Sequence, residues 1–407
     1  MNPEREVPDF LNPDAVRMAF ASLNKSDRKD RAFAGHFVLG KGEAPLTFPW
    51  PKTSLGEEYV LSAHTDVSVT CRETEHMTLC VIGEIVMWRD PTARNAQVLE
   101  WLTDGATSAA QIIERSADVA GRWVAFVFSE DETIVFHDAW GSFGVYYGFD
   151  ANDQFWISSS PKLISWSDLD RLDHDVVSQI VPSVVSDGSG GQYPYDVTPY
   201  LNIRALLPNH LLDLQEKSAK RYWPSRPLTQ SQQDNPVEAA ATQFSNIVKA
   251  FSVRQPLIFG LTGGTDARIL TAAGEHVGCD YKSFTAISDG LTDDEKHFYI
   301  QIAEKIAAAL GRENEIVYSS EQTAADAQPL FVACSTKPHL NSQRKASALL
   351  LWNTRSDYFF ILGAARLVVG FGISRMEMTR CCGTFWGVPD IKATRTHVAL
   401  RDLGSLI

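Results

Sequence analysis

Pro256-Leu-Ile-Phe-Gly-Leu-Thr-Gly-Gly-Thr-Asp-Ala-Arg-Ile-Leu270 is the stretch that decides the fold. An apolar run of strand character enters Thr262-Gly263-Gly264-Thr265-Asp266, and a helical pattern starts there. Such a join leaves backbone N–H groups open at a helix N-terminus, where the helix dipole also favours an anion. Two glycines let the backbone approach a phosphate with no Cβ between them. The Thr262 hydroxyl adds a donor. Asp266 would repel a bare phosphate, so its role on this reading is to hold a magnesium ion that bridges to one. The same residues also read as a tight turn closed by a capping aspartate, and the local sequence leaves both readings open.

On either side of this join, strands and helices alternate. Asn235-Pro236 is a helix cap followed by proline at the first helical position. Val237, Ala240, Ala241, Phe244, Ile247, Val248 and Phe251 then recur at helical spacing. After the quoted stretch come a strand over Tyr281–Ile287, a helix from Asp293 to Leu310 stopped by Gly311, and strands at Glu315–Tyr318 and Tyr358–Leu362. That alternation predicts a parallel sheet covered on both faces, an α/β arrangement. Upstream the pattern differs. Phe37-Val-Leu, Leu79-Cys-Val-Ile, Trp123-Val-Ala-Phe-Val-Phe, Thr133-Ile-Val-Phe and Phe155-Trp-Ile are short β-rich runs bounded by turn residues, with Asp131-Glu132 as a hairpin turn. Two seams interrupt the chain, Ser186–Pro194 and the polar, Pro-rich Trp223–Pro236. The second is taken as the boundary between domains over 1–225 and 233–407.

The 407 residues suit two domains, and 44% apolar with 21% charged residues describes a soluble globular chain. A net charge of −13 with no run of Lys or Arg argues against a nucleic-acid partner. Six cysteines without a C-x-x-C pair are expected as reduced thiols. The N-terminus carries charges and no apolar signal segment, and the most apolar stretch, Tyr358–Ile373, is broken by Arg366 and falls short of the ~20 residues of a span. No membrane partner and a cytoplasmic location are therefore expected.

Thr262-Gly-Gly-Thr-Asp-Ala-Arg resembles the pyrophosphate loop, S-G-G-x-D-S, of the asparagine synthetase family and its β-lactam-forming and lasso-peptide-cyclising relatives. Ser283-Phe284-Thr285-Ala286 is similar to the strand that lines the family's adenine pocket, and Asp293-Asp-Glu295 with the helix after it is similar to the D-E-x-x-x-A-x-x-x-A stretch. Leu201–Leu214 with Arg221-Tyr-Trp223 resembles the connection out of the family's glutaminase half. Gly121-Arg-Trp123, Asp138-Ala-Trp-Gly141 through Tyr146-Tyr147, and Trp156-Ile-Ser-Ser-Ser160 resemble the core of that half. The likeness covers most of residues 33 to 375, in family order.

The resemblance implies an α+β sandwich of the N-terminal-nucleophile type, followed by an α/β parallel-sheet ATP pyrophosphatase domain (PP-loop, Rossmann-like). It implies an ATP-dependent, amide-forming ligase. A substrate carboxylate attacks the α-phosphorus of ATP, pyrophosphate leaves, and a nitrogen nucleophile displaces AMP from the acyl-adenylate. Carried over by position, Leu261, Thr262, Gly263, Gly264 and Asp266 hold pyrophosphate, with Asp266 on magnesium and Thr262 and Asp266 as the catalytic pair. Ala286, Leu362 and Gly363 contact the nucleoside. The implied cofactors are ATP and Mg. The implied partners are a small-molecule or peptide carboxylate and ammonia or an amine donor, and a homodimer stays open as the assembly.

Departures from the family pattern qualify that picture. Ala34-Gly35-His36-Phe37 matches the family's first strand without a Cys, Ser or Thr where the nucleophile stands, and an internal residue lacks the free amine that activates it. The oxyanion-hole motif N-G-E reads Ile82-Gly83-Glu84, so its Asn donor is gone. No glutamine hydrolysis is expected. Ala267 replaces the loop's last serine, and Leu362–Gly372 holds none of the acids of the family's S-G-x-G-A-D-E loop. Arg366 there reads either as a partner for an anion or as a side chain reaching solvent. Lys392, the tail's one lysine, has no surroundings that identify it with the family's pyrophosphate-contacting lysine, and a truncated chain is one expectation. Two rivals stand beside the ligase: a peptide or metabolite cyclase of the same family, and an inactive nucleotide-binding or scaffold protein. His64-Thr-Asp66 and Ser189 lack a G-x-S-x-G elbow, and ten scattered histidines lack metal-ligand spacing.

Overall fold

Trp123-Val-Ala-Phe-Val-Phe is apolar without a break because its strand is covered on both sides. Val124 and Phe126 point into one core, while Trp123, Ala125 and Val127 point into another. A computed structural model of the chain describes residues 7–23, 33–56, 58–186, 193–225, 227, 235–287, 291–318, 321–334 and 359–361.

The first half runs α1 (Pro13–Leu23), β1 (Phe37–Gly40), β2 (Lys52–Leu55), β3 (Tyr59–Ala63), β4 (Val69–Glu73), β5 (Met77–Met87), α2 (Asn95–Thr103), α3 (Ala109–Arg115), β6 (Val119–Ser129), β7 (Thr133–His137), β8 (Tyr146–Phe149), β9 (Phe155–Ser158), α4 (Pro161–Ile164), α5 (Val181–Ser186), β10 (Ile203–Ala205), β11 (His210–Asp213) and β12 (Ser218–Arg221). Two antiparallel sheets result, ordered β10-β8-β9-β1-β3-β2 and β12-β11-β7-β6-β5-β4. Phe37 and Leu39 of β1 meet Ile82, Val124 and Phe126 of β5 and β6 between the sheets. Outside the second sheet lie α2 and α3, through Val98, Leu99, Leu102 and Ile112. Outside the first lie α1, α4 and α5, against Val38 and Trp156. The outcome is four layers, helix–sheet–sheet–helix. The helices at Pro13–Leu23 and Asn95–Thr103 come in addition to the strands expected from the sequence of this half.

The second half runs α6 (Pro236–Ser252), β13 (Leu257–Gly260), α7 (Thr265–His276), β14 (Tyr281–Ile287), α8 (Asp293–Ala309), β15 (Asn314–Tyr318), α9 (Glu321–Cys334) and β16 (Phe359–Ile361). Asn235 caps α6, its side chain accepting from the Glu238 N–H at 3.2 Å. Thr292 and Glu295 close a reciprocal capping box at α8. The four strands are parallel, in the order β15-β14-β13-β16. Leu257 and Phe259 pack on α6 and α7, and Leu261 on Ala303 and Ala307 of α8, so one face carries all three helices. Ile258 and Phe284, on the opposite face, are buried as well.

Among the described residues, two apolar contacts tie the halves together. At one, α6 packs Ile247 and Phe251 against Val86 and Ala120. At the other, the last turn of α9 lies on the first half, with Val332 against Val16 and Trp156, and Ala333 against Phe33 and Leu163. Lys162, fully buried on α4, donates to the Val332 carbonyl at 2.6 Å and so satisfies an acceptor at a helix C-terminus. Burial pushes its ammonium down from 10.5 to about 7, with the nearby Cys334 thiol opposing the shift. The unfolded chain therefore binds this proton more tightly than the folded one. The lysine's contribution is full above about pH 10.5, falls with pH, and is gone below about pH 7. Folding stability should accordingly rise between pH 7 and 8.5, by about 1.4 kcal/mol per unit at most. Lys162→Met should flatten that rise in urea titrations, and an unchanged slope would show that the group titrates elsewhere.

One sequence expectation is corrected. Cys71 and Cys80 stand directly opposite each other across β4 and β5 and form a disulfide, because the antiparallel register brings their side chains to the same side. Cys279 and Cys334 are free. Alkylation of the unreduced, denatured protein should leave Cys71 and Cys80 unmodified; labelling of both would remove the bond.

Candidate functional site

The sequence pointed to two places, one in each half. In the first half, Ala34-Gly35-His36 leads into β1, and Ala34 is buried with no nucleophilic atom to offer. His36 Nδ1 and Ser159 Oγ lie 2.8 Å apart, and Ser159 Oγ also accepts the Phe37 N–H at 2.9 Å. This buried pair secures the strand's entry. His64 Nδ1 accepts the Asp66 N–H at 3.0 Å, a local turn contact. Ile82 is wholly buried between the sheets, where an apolar side chain belongs.

Glu84, the last residue of the same motif, faces the second half of the chain. Arg254, just beyond α6, donates to Glu84 Oε2 and Asn95 Oδ1 at 2.7 Å each, and to the Ile85 and Ala93 carbonyls at 2.8 Å each. Asn95 Nδ2 in turn donates to the Gly83 carbonyl at 2.9 Å, which the Ser68 hydroxyl also reaches at 2.7 Å. Burial pulls the Arg254 guanidinium below its ordinary value, and Glu84 opposes that shift. The segment at the position of the family's oxyanion-hole motif, already without its Asn donor, forms part of a polar clamp between the halves. No feature of the sequence marked Arg254, since its partners come from the other half.

In the second half the quoted stretch forms the expected strand, loop and helix. β13 ends at Gly260, and α7 starts at Thr265 with Gly264 as its N-cap. Among the described residues, no side chain caps α7, so its first-turn N–H groups lack the usual oxygen. Thr262 is exposed, Gly263 half-buried, Gly264 exposed and Asp266 half-buried. The Thr262 hydroxyl accepts the Gly264 N–H at 3.1 Å, which folds the loop on itself and leaves the O–H free to donate elsewhere. Leu261 is buried on α8, and its N–H and carbonyl are both bonded to β14. Ala286 is half-buried near the carboxyl end of β14. Leu362 and Gly363 lie outside the described residues, as do Ser189, Arg366 and Lys392.

The sheet order gives this loop its setting. From β13 the chain moves to β14 and β15 on one side, then returns to β16 on the other. The order reverses beside β13, and at the carboxyl end of a parallel sheet such a switch opens a crevice. The Thr262–Gly264 loop leaves the strand there. The donor set fits a magnesium–phosphate group: one half-buried carboxylate, a hydroxyl, and N–H groups of a helix's first turn. Magnesium keeps several waters and takes further ligands from phosphate oxygens, so a single carboxylate is enough. Among the described residues, no group of three His, Cys, Asp or Glu side chains could hold a metal without such help.

The chain is an α+β protein that joins two packed antiparallel sheets to a separate parallel one. It matches no protein-family model and no curated protein. Among solved structures it is similar to the glutamine phosphoribosylpyrophosphate (PRPP) amidotransferase from B. subtilis complexed with ADP and GMP, at 12% identity and a TM-score of 0.29, over 75% of this chain and 79% of that one. It is similar also to a structure described as the allosteric regulatory enzyme of purine biosynthesis, at 13% identity and a TM-score of 0.29, over 80% of this chain and 77% of that one. Likeness this distant says nothing about the site. Among the described residues, no helix is long and apolar enough to cross a membrane.

Proposed function

We propose that the second half binds ATP by its pyrophosphate end and uses it to activate a carboxylate as an acyl-adenylate, which an amine or ammonia converts to an amide. The reading rests on one observation: a loop of two glycines and a threonine leaves β13 where the strand order reverses, and it opens a helix without a side-chain cap. The likeness of Thr262-Gly-Gly-Thr-Asp to the PP-loop of asparagine synthetases agrees with it.

The chemistry asked of these residues is modest. A carboxylate resists nitrogen attack until one of its oxygens joins a good leaving group. The loop's N–H groups and the Thr262 hydroxyl stabilise charge on the departing pyrophosphate, and they do so best when fixed in advance. Magnesium, when bound, neutralises phosphate charge. Asp266 is the residue that would hold it.

The nitrogen does not come from glutamine hydrolysed on this chain. Ala34 offers no nucleophile, Ile82 offers no donor, and Glu84 is engaged by Arg254. The protein should release no glutamate from glutamine, with or without ATP; release above a buffer blank would reverse this conclusion.

Exchange of labelled pyrophosphate into ATP tests the proposal. Exchange dependent on aspartate supports an asparagine synthase-like ligase, and exchange with another acid or a peptide supports the metabolite or cyclase reading. ATP binding without exchange for any acid leaves a nucleotide-binding or scaffold protein. Absence of both binding and exchange refutes the proposal.

A further inference from the structure

Leu261 is the first residue beyond the last strand position of β13, yet it is held to β14 from both ends. Its N–H donates to the Phe284 carbonyl at 2.8 Å, as a ladder bond would. Its carbonyl accepts from the Thr285 hydroxyl at 2.8 Å, so a side chain continues the pairing past the end of the strand. The same hydroxyl receives the Asn314 amide from β15 at 2.9 Å. Thr285 is buried, and so is the Leu261 side chain.

These bonds fix proton positions as well as distances. A carbonyl can only accept, so the one Thr285 proton goes to Leu261, and Asn314 must present its Nδ2 to the hydroxyl. Among the described residues Asn314 Oδ1 has no partner, so the amide is oriented by Thr285. The peptide unit joining Leu261 to Thr262 is planar and trans, which sets its C=O and N–H in opposite directions. With the Leu261 carbonyl pinned toward β14, the Thr262 N–H must point away from β14. That direction is the β16 side of β13, where the strand order reverses.

We infer that Thr285, backed by Asn314, is a positioning residue that aims the Thr262 N–H into the crevice as a preset donor for a phosphate oxygen. The inference rests on the ATP-binding reading and extends it to a residue that touches no ligand. Sequence alone ranked Thr285 only within the strand Ser283–Ala286, and nothing in it marked Asn314.

Calorimetry with magnesium pyrophosphate on the full chain decides the matter, using Thr285→Val, Thr285→Ser and Asn314→Leu. Valine keeps the shape and removes the hydroxyl, so affinity should fall by about tenfold or more, the scale of a lost hydrogen bond to a charged group. Serine restores the hydroxyl and should return affinity to near the wild-type value. Asn314→Leu should give an intermediate loss. Thermal melts of each variant accompany the titrations: a weakened site in a variant that melts like Thr285→Ser marks positioning rather than unfolding. If the wild type binds and Thr285→Val binds equally well, this inference fails while the function proposed above stands. If Thr285→Ser binds as poorly as Thr285→Val, packing rather than the hydroxyl is what matters, and the inference fails again. If the wild type does not bind pyrophosphate or ATP, both fall together.

Discussion

Replacing Arg254 by methionine should lower folding stability by about 3 kcal/mol, the low end for breaking a buried ion pair, because the arginine is buried and its carboxylate partner only partly so. The arginine side chain is 5% exposed and its partner Glu84 27%. Methionine preserves most of the volume, so the loss reports polar contacts rather than a cavity. Four acceptors lose a donor at once: the Glu84 carboxylate, the Asn95 amide oxygen, and the carbonyls of Ile85 and Ala93. Asn95 keeps the Ile85 N–H at 3.3 Å and Glu84 keeps the Ser68 hydroxyl at 2.9 Å. Water can reach Glu84 more readily than the two carbonyls, so Glu84→Gln, which keeps a neutral acceptor, should cost much less. Arg94, which donates to the Val253 carbonyl at 2.8 Å, reinforces the same junction from the first half. The measurement is the urea midpoint of the full chain followed by fluorescence. A loss under about 1 kcal/mol would place Arg254 among ordinary surface pairs and disprove the clamp.

The clamp also shows what sequence could and could not reveal. Alternating strands and helices after Asn235 were legible because each element carries its own local signal: the Asn235 cap, the Thr292–Glu295 box, and apolar runs of strand length. The hairpin at Asp131-Glu132 was legible for the same reason, and it closes through the Ser129 N–H on the Glu132 carbonyl at 2.9 Å. Contacts between distant segments carry no such signal. Arg254 meets Glu84 across 170 positions, and Lys162 meets Val332 across the same separation. Neither arginine nor lysine looks unusual in its own stretch. The pairing of Cys71 with Cys80 was missed because it follows from strand register, and a spacing count does not contain register. Short helices such as Asn95–Thr103 were missed because their burial, not their propensity, holds them in place.

At the candidate phosphate loop the two glycines should fail in opposite ways, and that contrast is the sharpest test of the site. A Cβ on Gly263 would stand 2.9 Å from Ile302 Cγ2, a branch atom close to the α8 backbone that cannot swing aside. Gly263→Ala should therefore destabilise the second half and weaken ligand binding only as a consequence. A Cβ on Gly264 would meet nothing nearer than the Thr262 hydroxyl at 3.2 Å. The backbone there is extended, at φ −69° and ψ 152°, which alanine adopts freely. Gly264→Ala should leave stability within about 1 kcal/mol of wild type, the usual scale of a changed helix cap. It should nonetheless reduce ATP–pyrophosphate exchange, because the new methyl presses on the hydroxyl that would donate to phosphate. Thr262→Val and Asp266→Asn should each cut exchange on the order of 10²–10³, the effect of losing one preset stabiliser of developing charge. The two together should leave no measurable exchange. If Gly264→Ala and Thr262→Val both retain full exchange, the phosphates are not held at this loop, and the turn that the Thr262 hydroxyl closes on the Gly264 N–H is a structural one.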